Sequence, residues 1–202
     1  DCVPMGAGAG KICSFSHHTS FARPTAEEFL KVANDSLSLA AAFWKTCTKV
    51  VVTFGTAYVW RRDGVPVSNC LKRPGTEFTH ERLSVGDIVD CVERIERVCG
   101  ARGIVFTVSP IRHMGQGAHL NTLSKASLLL ALEGRCYFPA YEILLDELRD
   151  YRFFAQDLVH PSPLAETVIW ERLLGAAVPA EERPLIEAGE KAARAARHIS
   201  KD

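Results

Sequence analysis

The chain has no surplus of charge of either sign: 24 Lys and Arg stand against 24 Asp and Glu in 202 residues, for a formal net charge of zero. It also has no dense block of Lys or Arg, the electrostatic footprint through which nucleic acid or an anionic membrane is held. Polyanion binding is therefore not expected. No apolar run reaches the ~18 residues that a membrane-spanning helix needs. The first ten residues carry neither a basic start nor a hydrophobic segment, so no secretory signal is visible. The seven cysteines include no C-x-x-C pair, and Cys47, Cys91 and Cys99 fall where Cys behaves as a small hydrophobe. A reduced, cytoplasmic setting follows as the simpler expectation. Two nucleophile signatures are missing as well: there is no G-x-S-x-G elbow and no Gly-Asp-Ser. Gly6, Gly8 and Gly10 have no strand before them, which argues against a phosphate cradle.

What is present is an alternation of β-branched runs and amphipathic stretches. Thr25-Ala26-Glu27-Glu28 fits a capping box and opens a helix to about Trp44, with Phe29, Val32, Leu37, Ala40 and Phe43 near one stripe. Lys49 to Phe54 reads as a strand covered on both faces. It ends at Gly55, the kind of position where open α/β sheets hold ligands. Tyr58 to Leu83 reads as a long irregular connection. A helix from Ser84 to about Cys99, a strand Ile104 to Val108, a helix from Ser124, a short strand Cys136 to Phe138 and two closing helices complete the pattern. Such alternation argues for a parallel sheet with helices on both faces, its strand ends at Gly55, Ser109 and Phe138 sharing one edge. The expected organisation is a flexible segment 1–14, one α/β domain 15–178 and a solvated carboxyl-terminal helix 179–202.

The chemistry concentrates in Asp157-Leu158-Val159-His160-Pro161-Ser162. A carboxylate three residues before a histidine on one turn can hold the imidazole by one ring nitrogen while the other faces a substrate. The bland alternative has Asp157 capping the next helix and His160 as a surface histidine.

That turn is preceded by Tyr137-Phe138-Pro139-Ala140-Tyr141-Glu142, by Asp146-Glu147-Leu148-Arg149-Asp150-Tyr151-Arg152-Phe153-Phe154 and by Phe106-Thr107-Val108-Ser109-Pro110-Ile111-Arg112-His113. In this order the strings resemble the GSCFA family, a branch of the GDSL or SGNH serine hydrolases, from about Phe15 to Trp170. The resemblance implies a three-layer flavodoxin-like sheet and metal-independent ester hydrolysis without a cofactor. It makes His160 the general base and Asp157 its orienting partner. Gly55 and Asn69 are the oxyanion candidates, and His17, His18, Arg112 and His113 the substrate-binding candidates. The implied ligand is a small-molecule, glycan or lipid ester.

Two departures stand out. The name-giving Gly-Ser-Cys-Phe-Ala string is absent, and Leu71 stands where the family pattern carries a histidine. The first leaves three readings open: a carboxyl-terminal portion of a longer protein, a non-catalytic relative that binds an acyl or glycan ligand, or a substitute hydroxyl at Ser16, Ser68 or Ser109. A missing first strand would also leave a sheet edge prone to dimer formation. For Arg112 a substrate anion and a tie to Asp146 or Asp150 weigh equally. For the acidic series from Glu142 to Asp157 an internal ion-pair lattice outweighs a glycosidase pair. A metal site of His17, His18 and Asp157 is the weakest option.

Overall fold

The computed structural model describes residues 1–199 apart from Ala7 and Ala9, so the end of the expected closing helix and part of the glycine-rich segment lie outside the described residues. The amino-terminal strands β1 (Val3–Pro4) and β2 (Ile12–Cys13) pair antiparallel. Helix α1 (Ala26–Thr46) starts at Thr25, whose hydroxyl accepts from the Glu28 amide at 3.2 Å, with Glu27 and Glu28 against the positive end of the helix dipole. Phe29 and Ala33 bury against Cys13, Ala22 and Leu71. Only the first turns of α1 find this support. Leu37 and Phe43, expected on the buried stripe, are 66% and 71% exposed because the helix runs on past the amino-terminal cluster.

Strands β3 (Lys49–Phe54), β7 (Gly103–Val108) and β8 (Tyr137–Phe138) form a parallel sheet in that order. Helices α2 (Val85–Cys99) and α3 (Ala118–Ala131) close one face through Ile88, Val92, Phe106, Val108 and Leu128. The other face gathers Val105, Phe138, Ile143, Ile169 and Leu173. These come from β7, β8, a π-helical turn Ile143–Leu148 that follows the short α4 (Ala140–Glu142), and α5 (Pro163–Ala177). None comes from β3. That strand is therefore not covered on both faces as its composition suggested: alternate residues are exposed, Val51 by 48%, because it is the edge strand and the second helical layer lies over its neighbours.

The stretch from Tyr58 to Leu83 is not irregular. It holds an antiparallel sheet, β5 (Val65–Val67), β4 (Tyr58–Arg62) and β6 (Thr79–Arg82) in that spatial order. Asp63 and Gly64 make the two-residue hairpin turn with φ of 49° and 78°, the positive pair that an Asp-Gly turn supplies at low cost. Pro66 is tolerated because β5 lies at the sheet edge. A second correction concerns α3, which begins at Ala118 and not at Ser124. Its first turns carry Asn121, Ser124 and Lys125, polar residues that are buried and face the sheet edge, so they break the apolar period that marks a helix. Helix α6 (Arg183–Ile199) ends the described chain and meets α5 where Trp170 Nε1 donates to Glu190. No described helix is long and apolar enough to cross a membrane.

Candidate functional site

Parallel register pairs Phe54 with Val108, so Gly55 and Ser109 leave the sheet side by side, and the Ser109 amide donates to the Phe54 carbonyl at 2.9 Å. Lys125 locks the two exits together. Its side chain is 1% exposed, and Nζ donates to the carbonyls of Gly55 at 2.5 Å and Ser109 at 2.7 Å, with the Tyr141 ring 5.9 Å away. Burial lowers its pKa to about 8. One residue earlier, the Ser124 hydroxyl accepts from the Ala57 amide at 2.7 Å and meets Thr56 at 3.1 Å, pinning the loop beyond Gly55.

His113 sits over that loop. Its amide donates to Asn121 Oδ1 at 2.9 Å, and a Cβ added to Gly55 would meet Nε2 at 3.2 Å. Nε2 is buried without a complete hydrogen bond. The pKa of the ring is lowered, first by burial and then by the Lys125 charge, with His160 adding to the effect; the adjacent Gly55 backbone favours the charged form but does not reach bonding geometry.

The turn 155–161 brings the remaining parts. The Ala155 amide donates to the His160 carbonyl at 2.8 Å, and Leu158 takes a left-handed φ of 55° to close the turn. Asp157 does not cap the next helix; Ser162 does, accepting from the Ala165 amide. Instead Asp157 Oδ1 accepts from the amides of Val159 at 2.9 Å and His160 at 3.0 Å, and Oδ2 lies 2.6 Å from His160 Nδ1. The two backbone donors, followed by the imidazole, hold this carboxyl at about 2. Arg112 ties the turn to the sheet edge: its amide donates to the Val159 carbonyl at 3.1 Å and its guanidinium to the Leu158 carbonyl at 3.3 Å. Neither Asp146 nor Asp150 pairs with it among the described residues, so the internal tie considered for Arg112 is not made.

Two cavities flank Arg112. One of about 340 Å³ lies between α3 and the π-helical turn, with Asn121, Tyr141, Leu144, Arg149, Tyr151 and Phe154 in its wall. The other, about 390 Å³, runs past His113 to Tyr58, Trp60 and His80, the last two rings stacked at 4.0 Å.

The structure thus brings Asp157, His160, Arg112, His113 and Gly55 to one edge. The other three candidates make no hydrogen bond to these and line neither cavity. His17 Nδ1 meets the Ser14 hydroxyl at 2.6 Å, and its ring packs edge-on against Phe21 and Phe29. His18 caps a short turn with Ser20. Asn69 Oδ1 accepts from the amide of Leu71, itself a fully buried core residue. Among the described residues no group of three His, Cys, Asp or Glu is arranged to hold a metal ion. Much of the acidic series is engaged internally: Glu142 accepts from Tyr137, Glu147 pairs with Arg172 and Asp150 with Arg152.

Lys125, Ser124 and Asn121 were missed as site residues. The polar side chains at 121, 124 and 125 were a usable signal, because spacings of three and four place them on one helical face.

Neither the curated proteins nor the solved structures contain a match to this chain. A family model does match, over residues 7–173, which takes in the two three-stranded sheets, Lys125 and the turn that bears Asp157 and His160, and on that match the chain belongs to the GSCFA family.

Proposed function

We propose that this domain is an SGNH-type ester hydrolase, built on a three-layer flavodoxin-like sheet, with Asp157 and His160 as its proton-transfer pair. The supporting observation is the 2.6 Å contact between His160 Nδ1 and Asp157 Oδ2. An ionised Asp157 accepts from the Nδ1–H tautomer and leaves Nε2 with its lone pair free, the arrangement a general base needs. Nε2 would take the proton of an attacking hydroxyl, and the imidazolium formed would be stabilised by the carboxylate and later protonate the leaving alkoxide. The Gly55 loop, pinned by Ser124 and Lys125, offers a rigid backbone at the same sheet edge for an oxyanion. Asn69 has no contact that would bring it into this role. The scheme routes no step through a metal or a cofactor.

Among the described residues no hydroxyl is hydrogen-bonded to His160; its side-chain partner there is Asp157, and Ser109 Oγ accepts from the Ile111 amide. A binding module that keeps the fold and a ligand cavity fits this equally. Labelling with a fluorophosphonate probe and peptide mapping separates the two. The hydrolase reading expects one labelled serine in the wild-type chain and none in His160→Ala. Absence of label in both leaves the binding module.

A further inference from the structure

A partly buried arginine needs acceptors for five fixed N–H donors, which are costly to leave unmatched. Arg102 meets that need with three backbone carbonyls, whereas Arg112 has few partners. Its guanidinium stands on the wall of the 340 Å³ cavity with one carbonyl partner, Leu158, at 3.3 Å, and no described carboxylate forms an ion pair with it. Arg149 stands on the same wall. It adopts a left-handed φ of 39°, a conformation that costs a non-glycine residue energy, and it too forms no ion pair among the described residues. The acid in that wall, Asp150, is already engaged: Oδ1 accepts from the Arg152 amide at 2.9 Å and Oδ2 from its guanidinium at 3.0 Å.

Two further features have the same sign. Lys125 holds its charge behind Tyr141, and Tyr141 is itself part of the wall. Ala118, Asn121 and Thr122 in the wall belong to the first turns of α3, whose Gly117 cap provides no side-chain acceptor for the free amides there. The rest of the wall is apolar, through Leu144, Leu145 and Phe154.

We infer that this cavity binds an anionic amphiphile, an ester whose acyl part ends in a carboxylate, with Arg112 as the fork that grips the carboxylate and Arg149 as a second cation at the rim. The inference rests on the hydrolase reading only in calling that ligand a substrate; the binding site stands without it. A neutral acyl chain would fill the apolar wall and leave two guanidinium groups unmatched. A dicarboxylic half-ester satisfies both parts.

The test is calorimetric titration of the full chain with N-benzylsuccinamate, a non-hydrolysable anionic probe, and with its uncharged diamide N-benzylsuccinamide. The anion is expected to bind on the order of ten- to a hundredfold more tightly, the range a charged hydrogen-bonded pair supplies. Arg112→Met should remove most of that preference and leave the neutral probe unchanged, while Arg112→Lys should keep part of it. Because Arg112 also supports the turn at Leu158, Arg149→Met serves as a second variant without that contact, with a smaller loss of the same preference. Equal binding of the two probes, binding of neither, or a preference that survives in both methionine variants overturns the inference. Anion binding by a chain that takes no fluorophosphonate label would keep this site and remove the hydrolase reading.

Discussion

Lys125 donates to the Gly55 carbonyl from 70 residues away, at 2.5 Å, and does so from a position 1% exposed to solvent. An ammonium so placed without a carboxylate has been retained against its desolvation cost. Its two carbonyl bonds hold the exits of β3 and β7 in one geometry. Lys125→Met leaves both carbonyls short of a donor, and a loss of roughly 2 kcal/mol in urea unfolding at pH 7 is expected. The pH dependence gives a sharper check. The folded pKa lies near 8, against an ordinary value of 10.5. Between those values the unfolded chain holds a proton that the folded chain has released, so wild-type stability should rise with pH from 8 to 10.5. The methionine variant should show a flatter profile in that window. Parallel profiles would refute the buried charge.

Asp157 is the most heavily solicited carboxylate of the site, with two amides and an imidazole on its two oxygens. The backbone bonds contribute more than the histidine to holding it near 2. In Asp157→Asn the acceptor at Oδ1 can persist, whereas the anion beside Nδ1 is lost. The variant should therefore fold with the turn intact, yet lose the orientation of the imidazole. Carboxyl titration by NMR follows Asp157 in the wild type, and the imidazole nitrogen shifts follow the ring tautomer in the variant. For the wild type, the stabilisation from Asp157 is present above the ordinary carboxylate range and is lost as pH falls toward 2. A wild-type Asp157 that titrates at the ordinary value would show that the turn is open in solution.

The parallel sheet and the Asp157 turn were legible because each is written locally. Val50, Val51 and Val52 mark a strand by β-branching alone, and a three-residue spacing is enough to let a carboxylate reach an imidazole on one turn. The antiparallel sheet was legible in part: Asp63-Gly64 is a strong hairpin signal, hidden among the arginines and the proline of a stretch read as loop. Lys125 was legible only in part: its spacing from Asn121 puts both on one helical face. Nothing in the string around it shows that two carbonyls distant in sequence converge on its ammonium, since a buried lysine is rare and only tertiary structure reveals one. The separation of His17 and His18 from His160 is of the same kind. A histidine pair reads alike whether it faces a pocket or, as here, packs through His17 on Phe21 and Phe29 and caps a turn through His18.

His113 gives a third prediction. Burial and the Lys125 charge lower its pKa, so the ring is neutral at pH 7 and Nε2 or Nδ1 is free to accept. Lys125→Met removes the second cause and should move the His113 midpoint upward toward its ordinary value, by NMR of the imidazole. The stability linked to His113 follows the depressed-base rule: it is present above pH 6.5 and declines as the pH drops through the folded value. A midpoint that stays put in Lys125→Met would mean that burial alone sets it.

Gly55 supplies the last. Its backbone is not in the left-handed region, so alanine is allowed conformationally, and the obstacle is the His113 ring, whose Nε2 lies 3.2 Å and Cε1 3.8 Å from the added carbon. A contact that short forces the ring to give by a few tenths of an ångström. Gly55→Ala should therefore cost only about 1 kcal/mol of stability, at the low end for overpacking. It should still shift the His113 imidazole resonances and titration, while the Asp157 and His160 signals, which depend on their own turn, stay close to wild type. Gly115→Ala is the matched comparison, since an added carbon there meets nothing within 4 Å and its backbone carries no positive φ. A His113 response confined to Gly55→Ala assigns the effect to that one contact. An equal response in both variants would instead trace it to the mobility of the whole 110–117 loop, and the fit between the strand exit and the imidazole would lose its standing as a feature of the site.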